Sequence, residues 1–200
     1  MTRLAITALL TALLCCPPLI AAQKPVAESL ETEFFIKRWT DEKYKDYMDR
    51  ATWAFIHDYS DKENVDQTLE TMTSYFEALD KYQKGDPAPL KQLGGVKAFK
   101  DKFAALLSHR DQSARGFAAI VLGICGDRAY APRIAKLAAT RRQKRDYRDY
   151  DRGLAAIALG FLEAKEHAKT VALLLKDKNP DIRNAATESL KLMGATELIK

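Results

Sequence analysis

The chain has 200 residues, the length of one domain or of one domain with a small appendage. Hydrophobic residues make up 47% and charged residues 30%, which excludes a disordered or collagen-like chain. A net charge of +5 implies no nucleic-acid partner by itself, and nine Gly with seven Pro are few for the turns of an all-β protein of this size.

At the N-terminus, Arg3 precedes an uncharged apolar run from Leu4 to Leu14 that only Thr7 and Thr11 interrupt. Pro17 and Pro18 then stop any helix, and Ala21-Ala22 place small residues before Gln23. This is the pattern of a secretory signal peptide over residues 1–22, cleaved after Ala22, and it predicts secretion across an inner membrane into the periplasm. The run is too short to span a bilayer, and no later stretch approaches the ~20 apolar residues of a transmembrane helix. A lipid anchor at Cys16 is the alternative, but lipoprotein signals want a small residue before the modified cysteine and here Cys15 stands there. Cleavage leaves Cys125 as the one thiol, so stability has to come from packing rather than an internal disulfide.

Residues 28–84 read as two or three helices. Ser60-Asp61-Lys62-Glu63 is a capping box, and Leu69, Met72, Tyr75, Phe76 and Leu79 follow it at helical spacing. Trp39, Tyr44, Tyr47, Trp53, Phe55 and Tyr59 concentrate aromatics ahead of it. Gly85-Asp86-Pro87-Ala88-Pro89 punctuates the chain, dividing an N-terminal helical cap over 23–86 from a domain over 87–200.

Beyond that point the chain repeats itself. Arg115-Gly116-Phe117-Ala118-Ala119-Ile120-Val121-Leu122-Gly123 aligns without gaps with Arg152-Gly153-Leu154-Ala155-Ala156-Ile157-Ala158-Leu159-Gly160, and then with the stretch from Arg183 to Lys191. The arginines are 37 and 31 positions apart. Cys125, Leu162 and Met193 share a column further on, which marks Cys125 as a small core hydrophobe rather than a nucleophile. Ile134 and Leu137 match Val171 and Leu174 as a second helix, and Phe103 and Leu106 supply an earlier one. Asp111 and Asn179, each four before its Arg, are predicted N-caps, with Pro180 at the first helical position.

These units resemble HEAT-like repeats, of the short type also found in phycobilin lyases, whose pattern opens the first helix with Arg and follows it with Ala-Ala and Leu-Gly. The resemblance covers about residues 94–200. It implies an all-α fold, a short right-handed α-solenoid of HEAT-like helical hairpins, with residues 23–86 closing its open end. The third copy departs from the pattern at Lys191, where the others have Gly. Arg115, Arg152 and Arg183, pairing with aspartates such as Asp177 between units, would then form a structural ladder.

Charge is divided unevenly: residues 23–90 carry nine basic and 15 acidic residues, residues 91–200 carry 22 and 12. A basic repeat half favours a partner with an acidic surface. The densest basic stretch lies where the repeat spacing widens, and Arg141, Arg142, Lys144, Arg145, Tyr147, Arg148 and Tyr150 are the candidate partner-binding residues, Arg forks and Tyr rings being enriched at binding hot spots. The opposing reading is a solvated run in which Asp146, Asp149 and Asp151 pair with the bases around them. His57, His109 and His167 have no metal-type spacing, and no metal, nucleophile-elbow or phosphate-loop motif occurs. The sequence therefore predicts an exported, non-enzymatic protein-binding module without cofactors, most concretely a periplasmic immunity or inhibitor protein against a secreted toxic effector. An envelope-assembly adaptor is the alternative, and a tetrapyrrole lyase-like enzyme, which the repeat resemblance alone suggests, is the remote one.

Overall fold

A computed structural model describes residues 26–58, 62–140 and 150–199. The predicted leader over 1–22 with Cys15 and Cys16, the predicted capping box at Ser60-Asp61 and the insertion from Arg141 to Asp149 lie outside the described residues. Within them all regular structure is helical and the fold is all-α. The helices are α1 (Val26–Trp39), α2 (Glu42–Asp58), α3 (Lys62–Gln83), α4 (Ala88–Gln92), α5 (Gly95–Leu106), α6 (Gln112–Cys125), α7 (Ala131–Ala139), α8 (Tyr150–Phe161), α9 (Ala168–Ala172, continued by a tighter turn over Leu173–Lys176) and α10 (Pro180–Leu192). No described helix is long and apolar enough to cross a membrane.

The described residues form two compact units, one drawn from 26–45 and 62–101, the other from 46–58, 102–140 and 150–199. In the first unit, Phe99 is the hub of an aromatic cluster, meeting Phe35 edge-on at 5.3 Å and Tyr75 at 5.0 Å, while Trp39 meets Phe76 at 5.1 Å. Edge-to-face geometry suits the quadrupoles of these rings. The Tyr75 hydroxyl donates to the Leu93 carbonyl, and burial raises its phenol above the ordinary value. Lys100, 8% exposed at its side chain, donates to Glu31 at 2.6 Å, so its buried ammonium is paired.

In the second unit α8 is central. It packs against α6 on one side, α10 on the other and α7 below, while α9 lies against α7 and α10. The first helices α6, α8 and α10 thus form one layer and the second helices α7 and α9 another. Asp111 and Asn179 cap α6 and α10 as the sequence predicts, accepting from the Ser113 and Asp181 amides at 2.8 and 2.9 Å. Glycine lets the first layer close up: a Cβ on Gly123 would lie 2.8 Å from Ala158 Cα, and one on Gly160 3.0 Å from Ser189 Cα. Lys191, in the same column of the third copy, is exposed. No further helix of the layer follows α10 among the described residues, so nothing there demands a small residue at that column.

Candidate functional site

The first turns of α6 and α10 are built alike. Arg115 reaches back from α6 so that Nη1 donates to the carbonyls of His109 and Arg110 at 2.6 and 2.8 Å. Arg183 does the same from α10, to the carbonyls of Asp177 and Lys178 at 2.8 and 2.9 Å. In each case the acceptors stand six and five residues before the arginine. The loops match as well: Asp177 Oδ1 accepts from the Asn179 amide at 2.9 Å, and His109 Nδ1 accepts from the Asp111 amide at 3.0 Å. An imidazole nitrogen thus takes the place of a carboxylate oxygen, an arrangement that needs the Nε2–H tautomer of His109.

Between them, Arg152 sends Nη1 to Asp177 Oδ2 at 2.7 Å and lies over the Ala138 carbonyl at 3.4 Å. Asp177 therefore joins α8 to α10 through both its side chain and its backbone. Arg115 is joined to the next unit too, by Nε and Nη2 to Asp151 Oδ2 at 2.8 and 2.6 Å. The two side chains are 8% and 1% exposed, so this is a buried ion pair. Asp151 thus faces inward from the first turn of α8 and pairs with an arginine 36 positions earlier. Of the candidate partner-binding residues, Arg141, Arg142, Lys144, Arg145, Tyr147 and Arg148 lie outside the described residues. Tyr150 opens α8 and is exposed.

The other side of the first-helix layer is covered from within the chain. Phe55 on α2 stacks on Phe117 of α6, with rings 7° from parallel and centroids 4.6 Å apart, and Tyr47 meets Phe161 of α8 edge-on at 5.1 Å. The Tyr47 phenol is held far above the ordinary tyrosine range, by burial first and then by its hydrogen bond to the Glu188 carboxylate of α10. Residues 46–58 of α2 therefore touch all three first helices. Their outward side carries Trp53, 60% exposed and stacked at 4.3 Å on His57, whose Nδ1 lies 2.8 Å from the Trp53 carbonyl.

Cys125, Leu162 and Met193 are all buried. At the opposite end of the helices Arg128 donates to Glu166 at 2.5 Å. The Glu166 carboxyl sits below its ordinary value, chiefly through a hydrogen bond with its own backbone amide, with Arg128 adding to it. No group of three His, Cys, Asp or Glu side chains among the described residues is arranged to hold a metal ion. Asp151, His109, Tyr47 and Glu188 are the residues that sequence reasoning passed over. Only His109 left a direct signal, standing six before Arg115 as Asp177 stands six before Arg183. No protein-family model, curated protein or solved structure matches the chain.

Proposed function

We propose that this protein is an exported, non-enzymatic helical-repeat module that holds a protein partner bearing an acidic surface. Its most concrete form is a periplasmic immunity or inhibitor protein that neutralises a secreted toxic effector. The observation that carries the reading is the recurrence of one anchoring device, Arg115 and Arg183 each clasping the two carbonyls six and five residues back, on helices that stack as α6, α8 and α10. Such recurrence supports a short right-handed α-solenoid of HEAT-like hairpins, an architecture in which each unit adds area to an extended binding surface. The leader-like residues 1–22 support export. The widened spacing between the first and second arginines supports the insertion as the landing site, with Tyr150 exposed at its edge.

The test is capture from periplasmic extract by the tagged chain, with identification of what is retained. One small soluble effector, released by the triple variant Arg142→Ala/Arg145→Ala/Arg148→Ala, is the expected outcome. Toxicity of that effector undiminished by periplasmic co-expression refutes the inhibitor role. Recovery of many envelope components in place of one effector moves the reading to an assembly adaptor.

A further inference from the structure

The second-helix layer has its own chemistry on the side turned to solvent. On α7, Ala131, Ile134, Ala135, Leu137 and Ala138 are buried, whereas Lys136 is exposed, as is Arg133, whose Nη2 donates to the Ala104 carbonyl at 2.6 Å. On α9 and the turn after it, Ala168, Val171 and Leu174 are buried, whereas Lys169, Leu173 and Lys176 are exposed. Neither stretch contains an acid. The acids at their ends are engaged locally: Asp127 with the Ala129 amide, Glu166 with Arg128, and Asp177 with Arg152. The cations thus outnumber the nearby free acids, of which exposed Glu197 lies on the turn packed against α9, and the field of this face is net positive. Leu173, at 66%, is more exposed than any other large apolar side chain among the described residues. In the 37-residue register it occupies the column of Lys136, so the leucine and the lysines share one outward surface.

We infer that this face docks on an anionic phospholipid surface, the cations meeting headgroup phosphates and Leu173 entering the boundary of the acyl region. Composition decides between lipid and protein. Protein interfaces are enriched in Arg and aromatic residues and depleted of Lys, and this face offers three lysines, one arginine and a single aliphatic side chain. Long lysine stems that keep their ammonium in water while following a soft surface suit headgroups, and an isolated leucine among them suits shallow insertion. None of the residues named on this face belongs to the 141–152 segment proposed for the protein partner.

The experiment is co-sedimentation of the full chain with phosphatidylcholine vesicles and with vesicles containing equal phosphatidylglycerol, at 0.1 and 0.5 M salt. Binding to the anionic vesicles alone, weakening several-fold at the higher salt, is expected. The apolar run near the N-terminus would bind both vesicle types equally, so the difference reads the charged face. Lys136→Gln/Lys169→Gln/Lys176→Gln should weaken anionic-vesicle binding about a hundredfold, at about fivefold per lysine. Leu173→Ser should weaken it about tenfold while leaving retention on immobilised polyglutamate unchanged. Unchanged thermal midpoints in these exposed-site variants establish that they fold. Equal binding to both vesicle types, wild-type binding by the triple lysine variant, or retention on polyglutamate without vesicle binding each overturns the inference, the last by assigning the face to an acidic protein. Arg142→Ala/Arg145→Ala/Arg148→Ala should keep full vesicle binding, which separates this result from the fate of the protein-partner reading.

Discussion

Replacing Arg115 by Met tests the energetics of the buried pair most directly. The substitution keeps a long unbranched stem but removes the guanidinium that pairs with the Asp151 carboxylate, itself 1% exposed. Stripping one member from a buried pair costs about 3–5 kcal/mol, because the remaining charge stays desolvated. The carbonyls of His109 and Arg110 lose their donor as well, but Arg110 is exposed and His109 half-buried, so water replaces part of that loss. The expectation is a fall in unfolding free energy of about 4 kcal/mol in urea titration followed by circular dichroism, with an unchanged slope. Combining Arg115→Met with Asp151→Leu removes both charges and should restore more than half of it, since apolar replacement of a whole buried pair is often near neutral. Lys97→Met provides the scale for an exposed pair. Its partner Asp101 and Lys97 itself are 52% and 78% exposed, and the loss there should stay below ~1 kcal/mol. A cost below about 1 kcal/mol for Arg115→Met would refute the reasoning.

Gly123→Ala should lower the thermal midpoint despite the better helix propensity of Ala: its Cβ would sit 2.8 Å from Ala158 Cα, and overpacking of ~1–3 kcal/mol outweighs a propensity gain of at most ~1 kcal/mol. Gly153→Ala, whose nearest neighbour would be 3.6 Å away, should leave the midpoint unchanged or raise it. Phe55→Ala should cost ~3–5 kcal/mol, since the ring is fully buried against Phe117, whereas Trp53→Ala on the outward side of the same helix should stay within ~0.5 kcal/mol. In Arg128→Ala, the Glu166 carboxyl should titrate at higher pH than in the wild type yet remain below its ordinary value, because the backbone amide still holds the charged form; carbon-detected NMR reads the shift. The sign follows from a depressed carboxyl: its contribution to stability is present above the unfolded pKa and is lost as pH falls through the folded one.

The first and third copies were legible because each spells out its own start, with an acceptor side chain four positions before an arginine, and the helix caps form where those residues stand. The role of α2 was not. Tyr44, Met48, Ala51 and Phe55 fall on one stripe at helical spacing and are all buried, which tells that a face is covered but not by what. The same spacing leaves Trp53 off the stripe, and it is exposed. Asp151 was illegible for a different reason. Set in Arg-Asp-Tyr-Asp-Arg, it reads as a solvated charge, and only the proximity of α6 makes it an interior one. The Lys191 departure in the third copy becomes intelligible because, among the described residues, no further first helix packs on that side of α10.

Linear repeat arrays ordinarily fray, because each unit leans only on its neighbours and a terminal unit can detach alone. Here α2 acts as a clasp. Phe55 and Tyr47 are eight residues apart, about 12 Å along a helix, enough to cross from one first helix to the next. Through them a single rod engages α6, α8 and α10 at sequence separations of 62 to 141 residues. Closing loops of that length costs entropy before any contact rewards it, which slows folding, yet the cost grows only with the logarithm of the length. Once the clasp is shut, α10 cannot peel away without also giving up Glu188 at Tyr47. The second unit should accordingly lose its structure in one cooperative transition rather than helix by helix from its C-terminal end.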